Sequence, residues 1–103
     1  METQKVIDDL VAFRNERGWQ DFHTLESLSR ALGIEASEVE KIFLWKTSDA
    51  ELSEDDRSDL KFELADVLTY AYYMCEKLGV DPNEIVEEKL AKNKARHWKF
   101  EEK

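Results

Sequence analysis

Residues 53–79 have the sequence SEDDRSDLKFELADVLTYAYYMCEKLG, which predicts one long helix. Ser53 offers a capping hydroxyl, and the acidic residues that follow it stabilise the first turn of a helix. Gly79 is suited to end the helix, because glycine readily adopts the left-handed conformation found after a last turn. Apolar residues recur between these ends at helical spacing and form one stripe. They are Leu60, Leu64, Val67, Ala71 and Leu78.

Two acidic residues lie at this apolar stripe. Glu63 falls within it and Asp66 lies on its edge, and their i,i+3 spacing puts both carboxylates on one side of the helix. A carboxylate on a core-facing stripe is costly unless a positive charge compensates it. The pair is therefore a candidate cation site.

The preceding helical segment contains a second pair with the same spacing, Glu35 with Glu38. Glu35 falls inside a stripe that comprises Leu28, Leu32, Val39 and Ile42. Four converging carboxylates would repel one another and could not all stay ionised. A divalent cation removes that repulsion, and oxygen ligands suit Mg²⁺ or Mn²⁺. We therefore predict a metal site between two helices, with Glu35, Glu38, Glu63 and Asp66 as its ligands.

Periodicity and capping residues predict three further helices. The first spans about residues 3–17, and the second runs from the N-cap Thr24 to about Lys46. The fourth begins at Asp81 and Pro82, an N-cap acid followed by proline at the first helical position. Its inward-facing residues are predicted to be Ile85, Val86 and Leu90.

Three segments qualify this prediction. Gly33 would cost about 1 kcal/mol inside the second helix, so a break into two helices at this residue is the alternative. The apolar periodicity continues in phase across Gly33, which favours one helix. Residues 47–52 are predicted to form a loop, and residues 99–103 are expected to fray. With 3 glycines and 1 proline in 103 residues, the chain is predicted to be one all-α domain, an antiparallel four-helix bundle.

Composition excludes several classes of function. The net charge of −9, from 24 acidic and 15 basic residues, argues against a partner that is a nucleic-acid polymer, but a mononucleotide needs only a local basic cluster. Cys75 is the single cysteine, so no intramolecular disulfide can form. No apolar run reaches a membrane span, and the charged amphipathic N-terminus is unlike a secretory signal. We expect a soluble cytoplasmic protein with no membrane partner.

The C-terminal segment and several aromatic residues supply groups that suit a nucleotide. One helical face carries hydrogen-bond donors that suit phosphate oxygens, supplied by Lys89, Lys92, Asn93 and Arg96. The alternative interpretation is that these basic residues only stabilise the C-terminal end of the helix through its dipole. Aromatic faces accept nucleobases, although each candidate could instead be a packing or structural residue. The candidates are Trp19, Phe22, His23, Trp45 and Tyr70.

Four segments together resemble the MazG-like nucleotide pyrophosphohydrolases over about residues 5–98. The connector GWQDFHT at 18–24 is similar to theirs, and IEASE at 34–38, continued by IFLW at 42–45, resembles their first E-x-x-E motif. ELADVL at 63–68 resembles their E-x-x-D motif, and KLAKNKAR at 89–96 resembles their K-x-x-x-N-x-x-R ending.

The resemblance implies an all-α enzyme that cleaves a nucleoside triphosphate between its α and β phosphates, giving a monophosphate and pyrophosphate. It implies that Glu35, Glu38, Glu63 and Asp66 hold Mg²⁺, with Glu38 as a candidate general base for the attacking water. Lys89, Asn93 and Arg96 would bind phosphates, and His23, Trp45 and Tyr70 would line the nucleoside pocket. It also implies a homodimer or a dimer of dimers with sites completed across subunits, and a pyrimidine deoxynucleotide such as dCTP as substrate.

Two alternatives stay open from the sequence. The chain could be a helical interaction or regulatory module that keeps this fold without turnover. It could also hydrolyse another phosphoanhydride, such as phosphoribosyl-ATP, although the aromatic connector favours an ordinary nucleotide.

Overall fold

The structure, a computed structural model, describes residues 1–96. Residues 97–103, including the tail expected to fray, lie outside the described residues. The described chain contains helices but no strand, which confirms the all-α prediction. The helices are α1 (Thr3–Glu16), α2 (Leu25–Lys41), α3 (Glu54–Leu78) and α4 (Pro82–Ala95), with a short 3₁₀ turn at Asp49–Glu51.

Side-chain caps define where the long helices begin. The Ser53 hydroxyl accepts a hydrogen bond from the Asp56 backbone N–H at 3.0 Å, and the Asp56 carboxylate accepts one from the Ser53 N–H at 3.0 Å. Thr24 and Ser27 form the same reciprocal pair at the start of α2. These capping boxes satisfy backbone donors that a helix start leaves without partners. Gly79, with φ of 69°, ends α3.

The second helix ends earlier than predicted. It continues through Gly33, as expected, but stops at Lys41 rather than near Lys46. Residues 42–46 form tight turns instead, in which the Phe43 N–H donates to the Glu40 carbonyl at 3.0 Å and the Lys46 N–H donates to the Phe43 carbonyl at 2.9 Å. The turns carry the chain away from the axis of α2.

Helices α2 and α3 form an antiparallel pair at the centre of the fold. Lys46, just after α2, forms an ion pair at 3.4 Å with Asp56 in the first turn of α3. Glu35, earlier in α2, lies beside Glu63 and Asp66, later in α3. The order of the contacts is reversed between the two helices, so they run in opposite directions.

Helix α1 packs against the C-terminal half of α3. The Tyr73 hydroxyl donates a hydrogen bond to the Leu10 carbonyl at 2.9 Å, and the Arg14 guanidinium forms an ion pair with Glu76 at 3.0 Å. The buried apolar side chains of the described residues cluster at this contact and beneath α2. They are Ile7, Leu28, Tyr73 and Cys75.

Most apolar residues of helix α4 are not buried against the rest of the chain. Ile85, Val86 and Leu90 are 37%, 63% and 42% exposed, so the prediction that they face inward is wrong for the single chain. Near its start, the Asn83 amide donates to the Thr3 hydroxyl at 3.1 Å. The connection from Gly79 to Pro82 directs α4 away from the α2–α3 pair, and its apolar face is left to water or to another protein.

Candidate active site

Three of the four predicted metal ligands converge between α2 and α3. One carboxylate oxygen from each of Glu35, Glu63 and Asp66 lies within 4.8 Å of the corresponding oxygens of the others. Oxygen ligands on opposite sides of one Mg²⁺ ion are about 4.2 Å apart, since each Mg–O distance is about 2.1 Å. Small side-chain rotations would therefore fit these oxygens around one hard divalent cation.

The electrostatics of Glu35 show the cost of this convergence. Burial, together with the charges of Asp66 and Glu63, raises the pKa of the Glu35 carboxyl above its ordinary value. When protonated, Glu35 donates a hydrogen bond to Glu63, which also raises its pKa. A proton on Glu35 relieves the repulsion, and a bound cation at the same place would relieve it more completely.

The fourth predicted ligand, Glu38, is not among the carboxylates that converge in this acidic cluster. Its carboxylate forms an ion pair at 3.1 Å with Lys41, one turn further along α2. The Glu38 charge still contributes to the raised pKa of Glu35, so the side chain lies near the cluster without being part of it.

A cavity of about 500 Å³ adjoins the acidic cluster, and Asp66 belongs to both. Helix α1, the connector after it and α3 supply the walls, which are mainly aromatic. The lining residues are Leu10, Phe13, Trp19, Phe22, His23, Asp66, Thr69, Tyr70 and Tyr73. Flat apolar walls beside a cation site suit a ligand that has a planar ring at one end and negative charge at the other.

Contacts between rings hold one wall of the cavity together. His23 meets the Tyr73 ring edge-on at 4.8 Å between centroids, and Trp19 lies 6.2 Å from His23. Trp19 also meets Phe13 edge-on at 5.4 Å. Burial, followed by the nearby positive charges of Arg14 and Lys77, lowers the pKa of His23, so the imidazole is uncharged at neutral pH.

The structure brings some predicted substrate residues to the cavity and leaves others elsewhere. His23 and Tyr70 line it. Trp45 is 89% exposed in the turns after α2 and is not among the lining residues. Lys89 and Asn93 lie on α4 and Arg96 directly follows it, and α4 makes few contacts with the α2–α3 pair. Their roles stay predictions, although the Asn93 side-chain oxygen is buried without a hydrogen-bond partner in the described chain.

Comparison with known proteins gives the family. The MazG-like family matches residues 31–103, a range that includes both acidic motifs and the basic segment of α4. The chain belongs to the MazG-like family. The rat and human proteins named dCTP pyrophosphatase 1 are each 36% identical to it over 90 residues. These alignments cover 82% of this chain and 52% of each relative, so the chain spans about half the length of the curated relatives it matches.

A solved structure supports the MazG-like assignment in three dimensions. The crystal structure of a pyrophosphatase from Archaeoglobus fulgidus superimposes with a TM-score of 0.82 and is 34% identical in sequence. The match covers 87% of this chain and 86% of that one. Within residues 1–96, no helix combines the length and apolar character that a membrane span requires.

Several site residues of this MazG-like chain were not predicted from its sequence. Phe13, Thr69 and Tyr73 line the cavity, and Arg14 lies beside Tyr73 with 6% of its surface exposed. A signal for Arg14 was present, because it follows Ile7 and Leu10 at i+7 and i+4 and therefore shares the buried side of α1. An arginine at such a position has to be paired, and its partner Glu76 is 62 residues away.

Proposed function

We propose that this MazG-like chain is a nucleoside triphosphate pyrophosphohydrolase that requires a divalent cation. The supporting observation is the acidic cluster of Glu35, Glu63 and Asp66 at the edge of the aromatic cavity, with Asp66 shared by both. The reaction joins water to the α phosphorus of a (d)NTP and releases pyrophosphate, leaving a (d)NMP. Mg²⁺ is the proposed cation, and Mn²⁺ is a chemically suitable substitute.

In this proposal the three carboxylates hold the cation next to the phosphates. When bound, a divalent cation neutralises phosphate charge and makes the phosphorus more open to attack. The carboxylates are acceptors only and cannot bind phosphate oxygens themselves, so the affinity of the cluster for a nucleotide depends on that positive charge. Glu38 is the proposed general base, since its carboxylate lies near the cluster and is held only by the exposed Lys41.

The aromatic cavity is the proposed site for the base. Tyr70, Phe22 and the paired rings of Tyr73 and His23 give it flat walls, and stacking on such walls is favourable for any nucleobase. The relatives named dCTP pyrophosphatase 1 make a pyrimidine deoxynucleotide the first substrate to test. Trp45, Lys89 and Asn93 of α4, and Arg96 after it are proposed to complete the site in an oligomer, because in one chain they are not among the residues that line the cavity.

The test is a product-resolved assay with the eight common NTPs and dNTPs, each with Mg²⁺, with Mn²⁺ and with EDTA. We expect monophosphate and pyrophosphate from a subset of nucleotides, with no turnover in EDTA. Inorganic phosphate plus diphosphate would contradict the proposed position of cleavage. Folded protein with no turnover on these nucleotides or on phosphoribosyl-ATP would favour the non-catalytic interaction module.

Variants of α3 tie the activity to the acidic cluster. Glu63→Gln and Asp66→Asn remove one charge each and should lower kcat/KM by roughly a hundredfold or more, since residues that only support a metal ligand already contribute about 10–100-fold. Asp59→Asn is the matched control, because it removes the same charge from an exposed position one turn earlier on α3. Equal activity in all three variants would place the reaction elsewhere.

A further inference from the structure

Arg14 lies next to the aromatic wall of the cavity, and only 6% of its surface is exposed. Its Nη1 donates a hydrogen bond to the Glu76 carboxylate at 3.0 Å, and its Nε donates one to the Asn15 side chain at 3.2 Å. Burying a guanidinium is costly even when it is paired. A purely apolar side chain would fill the same position at lower cost.

The guanidinium is linked to the cavity through one tyrosine. The central carbon of the Arg14 guanidinium lies 5.9 Å from the centroid of the Tyr73 ring. The hydroxyl of Tyr73 donates to the Leu10 carbonyl at 2.9 Å, so this ring is held both at its face and at its tip. The ring also contacts His23, edge-on at 4.8 Å and 62°, and Tyr70, with ring centroids 6.4 Å apart. Arg14 therefore fixes the surface on which His23 rests.

The groups around His23 favour the uncharged imidazole. Burial is the largest cause of the lowered pKa of His23, and the positive charges of Arg14 on α1 and Lys77 on α3 lower it further, beside the neutral ring of Tyr73. Asp66, the negative group that lines the same cavity, is not among the causes that shift the pKa of His23. The His23 Nδ1 atom is buried without a hydrogen-bond partner among the described residues. A neutral nitrogen tolerates this position far better than a charged N–H would.

We propose that Arg14, fixed by Glu76 against Tyr73, is a positioning residue that holds the His23 ring uncharged and in place on the cavity wall. The inference rests on the proposed function, in which that wall contacts the base of a nucleotide. A neutral base can pack against an uncharged wall without removing water from a charged group. If His23 were protonated, packing of the base would also desolvate the charged imidazolium. Together with burial, Arg14 thereby lowers the pH limit of nucleotide binding without touching the nucleotide.

The first measurement is an NMR titration of the His23 ring signals in the nucleotide-free protein. His97, the other histidine of the chain, gives a second signal that the variant His97→Gln identifies. In Arg14→Met, which keeps a long side chain but removes the charge, we expect His23 to titrate at higher pH. Arg14→Lys keeps the charge and should restore titration close to that of the unmodified protein. Arg30→Met removes an exposed arginine from α2 and should leave the His23 titration unchanged.

A double variant keeps the test decisive if Arg14→Met folds poorly. Arg14→Met with Glu76→Gln leaves no unpaired carboxylate, so any remaining upward shift of the His23 titration is due to loss of the guanidinium. An unshifted titration in the double variant would overturn the proposal. The proposal would also be overturned if the His23 titration in Arg14→Lys were shifted as far as in Arg14→Met, because the positive charge at position 14 would then be irrelevant.

Kinetics distinguish positioning from a general loss of structure. At saturating Mg²⁺, KM for the nucleotide should rise several-fold below the pH at which His23 takes up a proton while kcat is held, and in Arg14→Met this rise should begin at higher pH. A fall in kcat with KM unchanged at every pH would assign Arg14 a structural role only. If the protein hydrolyses no nucleotide, the proposed function fails, and the NMR titration still decides the role of Arg14.

Discussion

Glu35 is more easily protonated in the folded, metal-free chain than an ordinary glutamate, since burial and the charges of Asp66 and Glu63 raise its pKa. A group whose pKa is raised on folding binds protons more tightly in the folded state. Its contribution to stability is therefore greatest below the ordinary pKa and is lost as the pH rises through the raised value. The acidic cluster should make the metal-free protein less stable at neutral than at mildly acidic pH.

This linkage gives a prediction for the melting temperature. In EDTA, the Tm of the unmodified protein relative to that of Glu35→Gln should rise as the pH is lowered from about 8 to about 5, because Glu35 gains a proton and the repulsion is relieved, while other titrating groups such as His23 affect both proteins equally. Millimolar Mg²⁺ should raise Tm most at the upper end of this range, where the three carboxylates are ionised, and little at the lower end. Differential scanning fluorimetry measures both. A Tm that is the same in EDTA and in Mg²⁺ at every pH would contradict a cation site at this cluster.

The ion pair between Lys41 and Glu38 leads to a second prediction. If Glu38 joins the cation site when the site is loaded, Lys41 competes for it, and Lys41→Met should lower the Mg²⁺ concentration that gives half-maximal activity. An exposed pair is worth about 1 kcal/mol at most, so the change should be up to roughly fivefold. Lys5→Met, which removes the exposed pair with Asp9 on α1, is the control. An unchanged Mg²⁺ requirement in Lys41→Met would count against Glu38 as a ligand.

At this scale the sequence predicted those site residues whose positions follow from helical spacing. Glu35, Glu63 and Asp66 are brought together because each lies at an apolar stripe of a long helix. The position of the Glu38 carboxylate was not predictable in the same way. Lys41 at i+3 is an exposed local partner, and the free energy of that ion pair is too small to decide between it and the acidic cluster. The pairing of Arg14 with Glu76 depends on how α1 docks onto α3, and no local pattern specifies that contact.

Helix α3 is the element on which the site depends, because it carries Glu63 and Asp66 together with Tyr70 and Tyr73. Its start is fixed by the reciprocal hydrogen bonds of Ser53 and Asp56. Lys46 pairs with the same Asp56 carboxylate, so the capping box also ties the turns after α2 to the beginning of α3.

Ser53→Ala should therefore destabilise the protein. Loss of an N-cap hydroxyl costs about 1 kcal/mol, which corresponds to a fall in Tm of about 4–8 °C in a domain of this size. Ser58→Ala makes the same chemical change at an exposed position within α3 and should be neutral or slightly stabilising, because alanine is the better helix former. Thermal unfolding followed by circular dichroism compares the two. Equal melting temperatures would show that the capping box does not limit the stability of α3.

The element boundaries were predictable where a capping residue or a glycine marks them. Thr24, Ser53, Gly79 and Asp81 each stand at the helix end that the sequence indicated. The end of α2 was predicted about five residues too late, because residues 42–46 contain no glycine or proline and continue the apolar pattern. There the backbone changes to tight turns without a residue that requires it, and the ion pair of Lys46 with Asp56 stabilises the result.

The whole molecule is more extended than a compact domain of its length. Its radius of gyration is 16.8 Å, whereas a compact chain of about 100 residues has a value of about 13 Å. Leu64 and Leu68 on α3 are 46% and 52% exposed, and the apolar residues of α4 are likewise in contact with water. An apolar surface of this kind on a small helical protein is typical of one that is covered by another subunit.

Association of two or more copies is therefore our prediction at this scale. The sequence predicted that α4 would pack inside its own chain, since the periodicity of Ile85, Val86 and Leu90 specifies an apolar face but not which chain covers it. Light scattering coupled to size exclusion should give a mass of at least twice the 12.1 kDa of one chain. Leu68→Glu puts a charge into the exposed apolar face of α3 and should shift the mass towards one chain while lowering the apparent Tm.

The control for this experiment is Gln20→Glu, which adds the same charge at an exposed polar position and should leave the mass unchanged. The dependence of Tm on protein concentration adds a second criterion. The stability of an obligate oligomer rises with protein concentration, whereas that of a monomer does not. If Trp45 and the basic residues of α4 complete the active site in the assembly, Leu68→Glu should also reduce turnover, although Leu68 is not among the residues of the cavity. A wild-type protein that is monomeric and fully active at all concentrations would show that one chain holds the complete site.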